Sequence, residues 1–457
     1  MKKTGIFKLV MFVILALIIT TWIFPASYFT NGSLSKLEMY NVGFFDFWQL
    51  LFGTFEFQYF IQIAILLLSV GALYEVLGKT GKYRAWVEKI ANNFKGAEVV
   101  FLLCSAFLIA ILSSVFDYGF ALFIFFPFII SILLAMGYDK FTALLATFGS
   151  ILIGTIGSTT GYNTAGVVNS LVGIESKSVI IYRVVLFVLA LGTELFFLAK
   201  SKREKVTEKS SKEDLFLGEK NSNKYSVTAI IIIFVLLFVL LVLGCTSWVD
   251  TFKVKVFSNF HETITGIDLL SKILGTVSAL GEWYYAEMSV MCILATIVIG
   301  IHYRVKDFFE VMAEGARKML RPAFIVMIVY SVVYFAGNTM FYPTIADYLL
   351  HITKKFNIFF ATISLIISSV LHVDMLYFAN YTVPQLASVT NYDITVSILS
   401  QGIYGATMFI APTSAVLALG LSYLGISYKE WVKKYWKFIL SLLVLVVIAS
   451  VITLFVY

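Results

Sequence analysis

The feature that most constrains this chain is a series of apolar runs, each close to twenty residues long. A helix rising about 1.5 Å per residue makes such a run the length of a bilayer's hydrocarbon core, about 30 Å. Full spans are predicted near residues 7–25, 59–78, 141–157, 178–199, 226–244, 284–302, 321–341, 394–412 and 436–457. Lipid offers the backbone no hydrogen-bond partners, so each run must satisfy its own amides as a helix. Two further apolar regions, 98–136 and 356–390, are broken near the middle by polar residues and read as re-entrant hairpins. The predicted fold class is an all-α polytopic membrane protein.

Composition excludes the alternatives. Of 457 residues, 60% are hydrophobic and 13% charged, against about 25% charged in soluble domains. The net charge of +7 is spread between apolar runs, which is an orientation signal and not a nucleic-acid-binding face. Cys104, Cys245 and Cys292 show no CxxC or metal spacing, so neither a disulfide framework nor a metal site is expected. Cys104 and Cys292 lie in apolar runs and are expected to pack there. No P-loop, HExxH or nucleophile elbow is present, and no enzyme activity or cofactor is expected.

The first run follows Lys2, Lys3 and Lys8, but Pro25-Ala26-Ser27-Tyr28 makes a poor cleavage site, so a retained first helix is expected. With the N-terminus inside and the C-terminus outside, the outer segments hold Lys36, Lys177, Arg183, Lys253, Lys255, Lys272, Lys354 and Lys355. The other 26 of the 34 Lys and Arg fall inside, as the positive-inside rule asks. The charge-mixed stretch 200–225 reads as a flexible cytoplasmic linker. It follows a first membrane repeat, 1–199. A connecting span (226–244), an external loop (245–283) and a second membrane repeat (284–457) come after it.

The two repeats are legible in short matches. Ser113-Ser114-Val115 returns as Ser368-Ser369-Val370, and Tyr138-Asp139 as Tyr392-Asp393. Gly157–Gly161 lies over Ala411–Ala415 at nearly the same offset. The assigned orientation makes the repeats inverted, each with a hairpin and a broken helix, a transporter architecture.

Each repeat then offers two polar breaks in apolar sequence. The candidate substrate or ion ligands are Ser113, Ser114 and Asp117 in one break, and Gly157, Ser158, Thr159, Thr160 and Asn163 in the next. Their counterparts are Ser368, Ser369, His372 and Asp374, then Thr407, Pro412, Thr413 and Ser414. Gly and Pro disturb the helix ladder. The carbonyls so freed, with Ser, Thr and Asn oxygens, can ligate Na⁺, and half-helix N-termini can face a carboxylate. Small residues also pack helices closely, the better reading for Ser150 and Ser397. The symmetric clustering of the four breaks favours a binding site. Asp117, His372 and Asp374 are ionisable groups near membrane depth. Glu75 is expected at the interface. Glu194 receives no role, and His261, His302 and His351 fall in predicted loops.

Four stretches carry a family resemblance: Thr21–Ala26; Gly71–Tyr74 with Lys79–Tyr83; Phe126–Phe128 with Ala135–Asp139; and Ala411–Leu417 with Gly425–Trp431. In these the chain resembles the YfcC-like group of anaerobic C4-dicarboxylate and basic amino-acid carriers, within the ion transporter superfamily. The resemblance implies inverted repeats whose tips meet at a substrate and coupling-ion site, and a homodimer. The run Gln401–Met408 departs from the family pattern, lacking its Asp and Asn. Na⁺ coupling, H⁺ coupling and exchange stay open.

The function expected is secondary active transport, as a symporter or exchanger, of a small carboxylate-bearing solute, amino acid or dicarboxylate. The expected location is the bacterial cytoplasmic membrane. Asp117 and Asp374 lean toward a cationic amino acid, since anionic sites repel a second substrate carboxylate. The competing class is a channel or a non-transporting membrane subunit.

Overall fold

The computed structural model describes residues 5–30, 32–203, 214–218, 225–275 and 278–456. The first part of the chain forms α1 (Ile6–Thr21), a hairpin of β1 (Ser27–Thr30) and β2 (Ser33–Lys36), α2 (Phe44–Glu56), α3 (Gln58–Lys79), α4 (Lys82–Asn93), α5 (Glu98–Phe116), α6 (Phe126–Ala135), α7 (Lys140–Leu144), α8 (Ser150–Ile156), α9 (Val167–Val172) and α10 (Ser176–Ala199). The middle forms α11 (Thr228–Cys245), α12 (Trp248–Phe252), α13 (Val256–Gly266) and α14 (Asp268–Leu274). The last part forms α15 (Tyr285–His302), α16 (Phe308–Thr339), α17 (Tyr342–Leu350), α18 (Ile358–Leu371), α19 (Met375–Ala387), α20 (Asp393–Thr407), α21 (Ala415–Leu424) and α22 (Tyr428–Val456).

Seven of these described helices, α3, α5, α10, α11, α15, α16 and α22, are long and apolar enough to cross a membrane. The protein is an all-α polytopic membrane protein. Among the described residues its sheet is one small antiparallel hairpin, with Ser27 opposite Lys36.

Several boundaries differ from expectation for local reasons. The helix expected from 321 begins at Phe308, because an amphipathic first stretch continues into the apolar one. The last helix likewise starts at Tyr428. The span expected to reach 412 ends at Thr407, just ahead of Pro412, and Ser414 then caps α21 by accepting from the Leu417 amide. The expected loop 245–283 carries α12, α13 and α14. α5 alone is as long as a span and stops where Asp117 turns left-handed, with φ of 56°.

At the centre, α3 lies against α16 at backbone distance. A Cβ on Gly71 would fall 2.5 Å from the Gly315 carbonyl oxygen, and one on Gly315 would fall 2.3 Å from that of Gly71. Phe60 and Tyr330 stack across the same pair, with ring centroids 4.4 Å apart. Glu75, expected at the interface, is instead buried, and Lys318 Nζ donates to its carboxylate at 2.5 Å. Cys292 is buried as expected, but Cys104, on α5, is exposed. His261 and His302 lie within helices, not loops.

Most of the linker expected at 200–225, namely 204–213 and 219–224, lies outside the described residues. The intervening segment 214–218 is packed, not free. Phe216 and Leu217 are buried, and Phe216 stacks on Tyr423 with ring centroids 6.3 Å apart. Gly218 has φ of +68°, and a Cβ there would fall 2.4 Å from the Gly78 carbonyl oxygen. Arg84 donates to the Gly218 carbonyl at 3.3 Å. Phe216→Ala is expected to release this segment. Amide hydrogen exchange at 214–218 should rise by about tenfold or more, the equivalent of about 1.4 kcal/mol of local stability. Unchanged exchange would show that the backbone contacts suffice.

Candidate functional site

The first polar break folds onto the second. Asp117 ends α5, and its Oδ2 accepts from the Thr164 amide at 3.0 Å while Ser158 Oγ donates to Oδ1 at 3.5 Å. A Cβ on Gly161 would fall 2.3 Å from that carboxylate, so only glycine admits the side chain there. Ser113 Oγ donates to the Ile151 carbonyl at 2.9 Å and Ser114 Oγ to that of Gly157 at 2.8 Å. The Thr159 amide and the Ser158 hydroxyl both donate to the Ser114 carbonyl. The unwound backbone at 157–161 is thus satisfied by protein, the condition for irregular chain inside a bundle. Gln401, on α20, adds donations to the carbonyls of Ile156 and Ser158 at 3.2 and 3.0 Å.

The second half repeats one of these contacts. Thr160 Oγ1 donates to the Val115 carbonyl at 3.0 Å, and Thr413 Oγ1 donates to the Val370 carbonyl at 2.7 Å. Both valines follow the Ser-Ser pairs matched in the sequence. Asp374 caps α19, accepting from the Leu376 amide at 3.0 Å, and its other oxygen accepts from the Tyr59 hydroxyl at 3.2 Å. Tyr404 donates to the Val373 carbonyl at 2.6 Å.

A cavity of about 470 Å³ lies between the breaks. Of the expected residues it is lined by Ser113, Asp117, Asn163, Asp374 and Ser414. The others stand behind its wall. Ser114, Gly157, Ser158, Thr159 and Thr160 knit the first pair of breaks together. His372 is buried, stacked on Tyr381 with centroids 4.9 Å apart, and bonded through Nδ1 to Ser368 Oγ at 2.9 Å. Ser368 also bonds Thr382. Ser369 turns back to the Leu365 carbonyl. Thr407 is buried with its hydroxyl unpartnered, and Pro412 sits with Thr413 in the turn before α21.

The sequence reading missed the aromatic wall, formed by Tyr59, Tyr285, Tyr330 and Tyr404. The phenol of Tyr59 lies between Asp374 and the ring of Tyr285, at 5.7 Å between centroids. Tyrosines scattered over four helices leave no signature in sequence order. Arg183, counted as an outer-loop residue, is fully buried on α10. It donates to Asn169 Oδ1 at 2.8 Å and Ser397 Oγ at 2.7 Å. Its apolar neighbours in α10 were the available signal.

The electrostatics of the cavity are one-sided. Asp117 and Asp374 are its charged lining residues, and no described Lys, Arg or His lines it. Ser414, Ala415 and Val416 also line the cavity and bring the N-terminus of α21 to it, an end with partial positive charge. Among the described residues no group of three or more His, Cys, Asp or Glu could hold a metal ion.

An uncharacterized protein of Haemophilus influenzae is 22% identical over 425 residues, covering 88% of this chain and 77% of the relative. The crystal structure of the Alcanivorax borkumensis YdaH transporter aligns over 98% of both chains at 11% identity, with a TM-score of 0.42. The family model of the C4-dicarboxylate anaerobic carriers, DcuC, matches residues 4–455. The protein is a membrane carrier and not an enzyme, and it belongs to the C4-dicarboxylate anaerobic carrier family.

Proposed function

We propose that the protein is a secondary active carrier of a cationic amino acid of the arginine, lysine or ornithine class, working by alternating access. The observation that carries this reading is the charge of the cavity: two carboxylates and an aromatic wall without a basic residue. Asp117 and Asp374 would hold the cationic end, and tyrosine faces add cation–π attraction. The N-terminus of α21 would take the substrate's carboxylate. Ser113, Asn163 and Ser414 supply further oxygens and amides at the wall. Within its family the chain then sits with the YfcC-like branch, in keeping with the run Gly425–Trp431.

The remaining parts of the proposal follow from charge and repetition. The protein spans the bacterial cytoplasmic membrane with its N-terminus on the inner side and its C-terminus on the outer side. The repeats 1–199 and 284–457 are inverted, with tips at Asp117 and Asp374 that behave as re-entrant hairpins. The carrier works as a homodimer, as the family resemblance implies, and couples to Na⁺ or H⁺ or exchanges one solute for another.

A second reading, dicarboxylate transport, is favoured by the family description. It asks two anionic groups to settle beside two aspartates, with helix termini as the positive partners. Counterflow in proteoliposomes separates the two readings. Vesicles are loaded with unlabelled arginine, ornithine, succinate or a neutral amino acid, and labelled arginine and succinate are followed inward, with and without a sodium gradient. Saturable entry of arginine, driven by internal arginine or ornithine, is expected. Entry of succinate alone would replace this reading with the dicarboxylate one. Linear, unsaturable flux of either label would indicate a channel.

A further inference from the structure

A second ionisable group lies buried in the bundle, away from the cavity. Glu194, on α10, is fully buried, and no described Lys, Arg or His forms an ion pair with it. Ser150 Oγ donates to its Oε1 at 3.0 Å, and Oε2 has no hydrogen-bond partner. A Cβ on Gly149 would fall 3.3 Å from Oε1. Gly149 ends a single π-helical turn, Leu145–Gly149, inserted between α7 and α8. Such single turns inside helices are frequent at functional sites. From Ser150 onward α8 runs to the cavity, which its Ile151, Leu152 and Thr155 line.

The elements packed against α10 are α5, α8, α20 and α22. α8 brings no titratable group. α5 carries Glu98, paired with Arg203, and the exposed Cys104. α20 carries Asp393, exposed at its start, and Tyr404, bonded to Val373. α22 brings Tyr435, buried with its own hydroxyl unpartnered. The basic residues of α22 are exposed; Lys434 pairs with Asp139. α10's own Arg183 is engaged with Asn169 and Ser397, three helical turns away. No positive charge is placed to hold Glu194 as an anion. An unpaired carboxylate in a dry interior is strongly disfavoured, and a proton removes the charge.

We propose that Glu194 is a proton-binding site, separate from the substrate cavity, whose occupancy is coupled to the conformation of α7 and α8. The proton adds to one carboxylate oxygen, forming one O–H bond, and leaves the same atom for water on release. The packing described here fits the neutral acid. The anion requires water, or a cation, to reach the carboxylate, and so favours a different arrangement around Ser150. The inference rests on the carrier reading for its coupling role, and the test keeps the two apart.

Infrared difference spectra of the purified protein between roughly pH 5 and 10 should show a protonated carboxylic acid band that titrates and is missing in Glu194→Gln. This arm requires no transport. A band that is absent, or that persists unchanged across the range, would overturn the proposal. In proteoliposomes containing pyranine, using whichever of arginine or succinate shows counterflow, Glu194→Gln should keep exchange within about twofold of the parent. Uptake driven by a pH gradient, and the accompanying proton movement, should fall by about tenfold or more. Glu194→Asp should retain part of both and guards against misfolding, which gel filtration also monitors. Full pH-driven uptake in the glutamine variant would overturn the coupling, as would loss of sodium-driven uptake with the proton response intact.

Discussion

Asp117→Asn raises the KM for arginine counterflow by about 100-fold, while the protein stays folded and monodisperse. Asparagine tolerates the left-handed backbone that Asp117 adopts at φ of 56°. Its amide oxygen can still accept from the Thr164 amide, which the carboxylate now does at 3.0 Å. The change therefore removes charge and little else. Truncating one partner of a buried, hydrogen-bonded charge pair costs about 2–5 kcal/mol, and each 1.4 kcal/mol is about tenfold in affinity. Asp374→Asn should act in the same direction, because both carboxylates line the cavity and both are half-buried. The same Asp117 variant tests the rival substrate. If a dicarboxylate is carried, losing a negative charge relieves repulsion and succinate entry improves. An arginine KM within twofold of the parent would remove Asp117 from the site.

Gly71→Val prevents assembly of the bundle, with most of the protein lost to aggregation on solubilisation. The new Cβ would fall 2.5 Å from the Gly315 carbonyl oxygen and 2.6 Å from Met319 Cγ. The methionine can turn away, but the carbonyl cannot. Overpacking a well-filled interior costs about 1–3 kcal/mol even for small additions, and a branched side chain against backbone exceeds that. Gly71→Ala should lower the melting temperature in detergent measurably. Gly192→Ala is the control: nothing lies within 4 Å of its Cβ position. There the gain in helix propensity, about 0.4–1 kcal/mol, should leave stability equal or raised. A Gly71→Val protein as stable as the parent would mean that α3 and α16 are not in backbone contact.

The spans were legible because lipid selects for apolar length, and hydropathy measures that. Helix ends were less so. The first turns of α16 and α22 are amphipathic and rich in Lys, Arg and Glu, so a window that reads greasiness starts too late. The breaks were legible because Gly, Pro and clustered Ser and Thr are rare together in apolar sequence. Asp117 and Asp374 line the cavity, whereas His372 stacks behind its wall. Its type suggested chemistry, while its position depended on the packing of Tyr342 and Tyr381. Arg183 and Glu194 show the limit most clearly. A window score averages a single charge away, and the partners that decide its role, Asn169 and Ser397 or Ser150, are distant in sequence or ordinary in type. The aromatic wall was hidden for the related reason that its members come from separate helices.

The contact between α3 and α16 restricts which motions the carrier can use. Their backbones meet at a pair of glycines, and helix positions repeat about every 1.5 Å along the axis. Sliding one helix past the other by a turn, about 5.4 Å, would bring a side chain of the same face, Leu67 or Glu75, into a gap that admits none. Tilting about the glycine pair leaves the gap filled as before. The two helices can thus act as a pivot but not as a slide, and each stroke of the carrier would be measured as an angle.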